Sequence, residues 1–196
     1  MNQALLVGLL CWPLGAQEAF LIPSTFKASA GERIAVRLEL AGAAVADAGI
    51  YTSRATYNLV NLRTDGTSIL LDGSLKVAGT AILAITTKPR IVHRERFLLY
   101  AKALVDVDLA DANATRSVGL PLELVLSGHT LTLLAAGHSL PGTVVKPSGT
   151  TDADGKVHVD ATTGIHKISA TRKMRCTDPA IADWDVITTT LTFEIR

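Results

Sequence analysis

The chain has 196 residues, 48% of them apolar and 5% aromatic, with 19 Lys and Arg set against 18 Asp and Glu. That apolar share excludes a disordered chain. A net charge of +1 with no basic run argues against nucleic acid as a partner, because a phosphate backbone needs a concentrated positive face.

The chain opens on an apolar run, Ala4 to Trp12, followed by Leu14-Gly15-Ala16. The run is well short of the roughly twenty residues a membrane helix takes, and it matches the core of a signal peptide with a small-residue exit. Residues 1–16 are therefore expected to form a cleavable signal, which makes the protein periplasmic or secreted. No other segment is long and apolar enough to cross a membrane as a helix. Once Cys11 leaves with the signal, Cys176 is the lone thiol, and a lone cysteine is most often a small buried side chain.

Ile34, Val36, Leu38 and Leu40 alternate with Arg33, Arg37 and Glu39, the period-two pattern of a half-buried strand. Leu59 to Arg63 and Ser68 to Leu71 flank Thr64-Asp65-Gly66-Thr67, a hairpin signal. Leu75 to Ile85 and Phe97 to Val107 read as further strands, and Asp111 to Thr115 as a polar break. Leu120 to Leu126, Thr130 to Leu134 and Gly142 to Lys146 follow. Asp152-Ala153-Asp154-Gly155 predicts a turn before Lys156 to Asp160, then come Ile165 to Thr171 and Val186 to Ile195. Turns at about 8 to 12 residue spacing indicate sandwiches or barrels with little helix. The expected fold is all-β: two small antiparallel β-sandwich units, residues 17–115 and 116–196. A single continuous sandwich stays open because the linker is short.

No nucleophile elbow, zinc-protease helix or phosphate-cradling loop is present, so a binding protein is expected rather than an enzyme, and no cofactor is specified. Asp152 and Asp154 begin like a calcium loop, but no Glu stands at its twelfth position, which favours a plain turn. The metal candidates are His158, Asp160 and His166, since imidazole nitrogen suits Ni, Cu and Zn. The face pattern counts against them as one cluster. Val157 and Val159 should face the core, leaving His158 and Asp160 in water, while His166 shares the inward side of Ile168 and Ala170. A one-residue register slip would be needed to unite the histidines. His129 and His138 occupy separate glycine turns that could converge at one loop end. His93 sits in the charged stretch Arg90 to Arg96, either a solvated loop or a basic patch for an anionic partner. Asp183-Trp184 is expected to anchor the last strand.

Gln17-Glu18-Ala19-Phe20-Leu21-Ile22-Pro23-Ser24 followed by Ala30-Gly31-Glu32-Arg33-Ile34-Ala35-Val36-Arg37-Leu38 resembles the start of the DUF4198 family. Tyr100 to Val105, Gly119 to Val125, Thr151 to Val157, Ala182-Asp183-Trp184 and Thr190 to Ile195 resemble its later blocks in order. The second half is also similar to the transthyretin-like module found beside carboxypeptidases, with Gly164-Ile165-His166-Lys167-Ile168-Ser169-Ala170 as its final pattern. The resemblance implies an Ig-like first sandwich and a transthyretin-like second one. It further implies an exported, non-enzymatic accessory binding protein of the bacterial envelope, associated with nickel or cobalt uptake. Its partner would be a divalent transition metal or an envelope transporter component. Family members often begin the mature chain with His, where this chain has Gln17, so no metal ligand is carried over. The alternative is a structural, adhesion or assembly module presenting β-sandwich loops to a protein partner.

Overall fold

The structure is a computed structural model and describes residues 18–40, 50–64 and 70–196. The expected signal peptide at 1–16, Gln17 and the turn at Asp65-Gly66 lie outside the described residues. Among these residues there is no helix. The strands are β1 (Ala19–Pro23), β2 (Arg33–Leu40), β3 (Ile50–Tyr57), β4 (Leu59–Thr64), β5 (Leu70–Leu75), β6 (Ala81–Thr87), β7 (Arg90–Val92) and β8 (Glu95–Val105). They continue as β9 (Leu122–Ser127), β10 (Thr130–Ala135), β11 (His138–Ser139), β12 (Val144–Lys146), β13 (Gly149–Thr150), β14 (Lys156–His158), β15 (Gly164–Arg175) and β16 (Trp184–Ile195). The all-β expectation is met.

The period-two strand at Arg33 to Leu40 behaves as its pattern dictates: Ile34, Val36 and Leu38 are buried while Arg33 and Arg37 are exposed. One expected strand is broken. Leu75 to Ile85 is not continuous, because β5 ends at Leu75 and β6 starts at Ala81. Asn58 causes the break, with its side-chain oxygen accepting from the Val77 N–H and its amide donating to the Val77 carbonyl. Those backbone groups are thereby withdrawn from any ladder.

Among the described residues the strands form three sheets. The first runs β1-β2-β5-β4, the second joins β9, β10, β11 and β14, and the large third runs β13-β12-β15-β16-β8-β6-β3 with β7 on β8. The third sheet lies between the other two. Leu83, Ile85, Leu99, Ala101, Ala103 and Val105 meet Leu21, Val36, Leu38 and Leu71 of the first sheet. On the opposite face Ile82, Tyr100, Leu104, Ile168, Leu191 and Phe193 meet Leu124, Leu126, Leu131, Leu133 and Val157 of the second. Strands covered on both faces must be apolar at successive positions, which explains the unbroken runs Ala81 to Ile85 and Phe97 to Ala101.

Residues 95–103 of β8 pair in parallel with residues 184–192 of β16, against the expectation of wholly antiparallel sheets. The central sheet thus carries strands from both sides of the division expected at 115 and 116. The second core also mixes Ile82 and Tyr100 with residues of the C-terminal half. The N-terminal strand is tied to the same sheet, since the Thr190 hydroxyl donates to the Ala19 carbonyl and the Ser169 hydroxyl donates to Glu18 at 2.8 Å.

Candidate functional site

The histidines are positioned by the second sheet and the edge of the third. Gly128 takes a φ of 55° in the tight turn from β9 to β10, and His129 follows it at the turn's exit. Thr130 of β10 stands opposite His158 of β14, and the Val159 N–H donates to the His129 carbonyl at 2.8 Å. That register sets the two imidazoles side by side, ring centres 6.4 Å apart and tilted by 52°. Val157 and Val159 are buried, so His158 and Asp160 face water.

His166 occupies β15, on the inward side with Ile168 and Ala170, and is half-buried. Its ring stacks on Phe193 at 5.1 Å with planes 11° apart, and its Nε2 is 2.8 Å from the Thr162 carbonyl. Both interactions fix the imidazole as part of a wall. Between it and His158 opens a groove of about 470 Å³ lined also by Pro147, Ser148, Asp160 and Ile168.

His158, Asp160 and His166 therefore border one groove without any register slip. A slip would be needed only if β14 and β15 were neighbours in one sheet. They belong to different sheets, and the loop between them lets both edges open onto the same space. Among the described residues no three His, Cys, Asp or Glu side chains converge tightly enough to hold an ion by themselves. His138 does not join His129. It pairs with Ala135 at the far end of β10.

The remaining sequence candidates fall elsewhere. Asp152 closes its own turn, its Oδ1 accepting from the N–H groups of Asp154 and Lys156 at 2.9 and 2.8 Å. His93 and Arg94 form the β7–β8 turn with φ of 48° and 63°. Arg94 is held by two bonds to Asp183, and its carbonyl accepts from the Asp183 N–H. Asp183 thus fastens that turn to the start of β16. Cys176 is half-buried, with Sγ 3.3 Å from the Asp178 carbonyl.

One strongly charged interior feature escaped the sequence reading. Lys102 and Glu123 are each 1% exposed, and Lys102 Nζ donates to Glu123 Oε1 at 2.7 Å and to the Leu124 carbonyl at 3.1 Å. Glu123 further accepts from the Ser117 hydroxyl and from the N–H groups of Val118, Gly119 and Leu120. Burial pushes the Glu123 carboxyl up, but the Lys102 ammonium and these donors outweigh it and hold the pKa below the ordinary 4.5. Burial draws the Lys102 ammonium below its ordinary 10.5 despite Glu123 beside it. Five donors, Lys102 among them, keep the Glu123 carboxylate charged. The signal was present: Lys102 is the one charge between Phe97 and Val105.

No family model matches the chain. None of the curated proteins or solved structures matches it either.

The wall role of His166 has a measurable consequence. His166→Ala removes a ring stacked on the buried Phe193 and should lower stability by about 1–3 kcal/mol. Chemical denaturation of both proteins measures this, and an unchanged midpoint would mean the stack contributes nothing.

Proposed function

We propose that the protein is an exported accessory binding protein of the bacterial envelope that takes a divalent transition metal between His129 and His158. The observation that carries this reading is the pairing of the two exposed imidazoles at 6.4 Å by the β10–β14 register. Metal–nitrogen distances of about 2.0–2.1 Å place the centres of two rings on one ion about 5–6 Å apart. A small side-chain rotation closes the difference, since neither ring is packed in place.

Two nitrogens leave the other coordination positions to water or to a donor from a partner. Such a half-built site suits a protein that receives a metal and hands it on, as the resemblance to nickel- and cobalt-uptake components implies. Asp160 and the groove beside it lie next to the pair and offer room for that partner's donor.

Calorimetric titration with Ni²⁺, Co²⁺, Cu²⁺ and Zn²⁺ tests the proposal. One ion per chain should bind at about micromolar strength, Cu²⁺ tightest as the general order of divalent affinities requires. His129→Ala or His158→Ala should weaken it sharply by leaving a single imidazole on the ion, and His166→Ala should leave it intact. No heat with any of the four ions would overturn the reading.

A further inference from the structure

We propose that the open edge of β15 from Thr171 to Arg175 is a docking site for an extended acidic segment of a partner protein, which would add to the central sheet as a strand. Along its whole length β15 is paired on one side by β16, but on the other side β12 reaches only Ser169 and Ala170. Beyond Ala170 the backbone groups pointing away from β16 have no strand beside them among the described residues.

This edge is basic on both faces of the sheet. Side chains alternate across a strand, so Arg172 lies on one face while Lys173 and Arg175 lie on the other. Among the described residues Arg172 has no carboxylate in ion-pair contact, Arg175 feels the Asp183 carboxylate only at longer range, and Lys173 is matched by Glu95. Trp184 underlies the second face, with the Arg175 guanidinium 4.1 Å and the Lys173 ammonium 5.1 Å from its ring centre. Trp184 belongs to β16, so the indole draws both cations over that strand and forms a flat apolar floor beside the edge.

Charge decides the occupant. Positive residues on an edge keep copies of the same chain apart, because two such edges would set Arg172 and Arg175 against their own kind. A strand bearing carboxylates meets the opposite condition. Its main chain would bond to the free edge, and its alternating side chains would reach Arg172 on one face and Arg175 on the other. This surface is separate from the histidine groove and stands without the metal reading.

The test uses the full chain and a fluorescent peptide of alternating glutamate and threonine, followed by anisotropy. Saturable binding is expected, weakened at least about tenfold by Arg172→Glu together with Arg175→Glu. The same peptide with prolines placed to block strand pairing should bind at least about tenfold more weakly. Circular dichroism of the double variant confirms its fold, and Lys156→Glu, an exposed change on β14, serves as a charge control that leaves binding unchanged. Equal binding of the proline peptide would show a loose ionic contact and overturn strand addition. Absence of saturable binding, or self-association of the unliganded chain that is lost in the double variant, would overturn the acidic-partner assignment.

Discussion

Lys102→Ala is expected to lower the stability of the fold by about 3–5 kcal/mol, because it leaves the Glu123 carboxylate buried without a counter-ion. Lys102 projects from β8 and Glu123 from β9, so the pair joins the central sheet to the second sheet inside their shared core. Removing the charge from both ends should behave differently. Lys102→Met preserves the apolar stem, and Glu123→Gln keeps an acceptor for the N–H groups of Val118, Gly119 and Leu120. The double variant should therefore be more stable than the sum of the single losses predicts, with a coupling of about 1–3 kcal/mol. Denaturation midpoints of the four proteins give this directly. The acid response supplies a second readout. Because folding lowers the Glu123 pKa, its contribution is complete above about 4.5, its unfolded value, and is lost as pH falls through the lower folded value. Glu123→Gln should flatten that part of the acid profile. Additive single losses and an unchanged acid profile would show that the pair is energetically inert.

Gly155→Ala is expected to be nearly as damaging, about 3 kcal/mol or more. The residue ends the Asp152 turn at a φ of 73°, which an L side chain adopts only under strain. An added Cβ would also stand 2.8 Å from the Leu140 nitrogen, 3.0 Å from the Ser139 Cβ and 3.2 Å from the Leu133 oxygen. These neighbours cannot yield. Leu140 N donates to the Leu133 carbonyl at 2.8 Å, and Leu133 N donates to the Gly155 carbonyl at 2.9 Å. Gly142→Ala separates the two contributions, since Gly142 has a similar φ of 67° with nothing within 4 Å of its added Cβ. It should lose only the conformational part, about 1–2 kcal/mol. Equal losses at the two sites would show that the crowding around Gly155 relaxes freely.

The local patterns carried most of the strands. Ile34, Val36 and Leu38, or Val157 and Val159, declare a half-buried strand through their spacing alone, and the Asp152 to Gly155 turn through its chemistry. What could not be read is what lies far apart in sequence. Nothing near Glu95 or Trp184 announces that β8 and β16 lie parallel, yet this pairing builds the central sheet. The grouping of the histidines is long-range in the same way. Spacing gives the inward faces of Val157 and Val159, but the sheets to which β14 and β15 belong depend on the connection between them. His129 entered only through its register beside β14. Lys102 and Glu123 were legible in part, as single charges inside apolar runs, and each one's partner was not.

The copper spectrum of the protein is the most direct test of the proposed function. Electron spin resonance of the one-to-one Cu²⁺ complex, with pulsed detection of the remote imidazole nitrogens, counts the histidines bound to the ion. Two equatorial imidazoles are expected in the wild type and in His166→Ala, and one in either His129→Ala or His158→Ala. A spectrum showing no imidazole, or one that keeps two after His158→Ala, would contradict a metal site between His129 and His158.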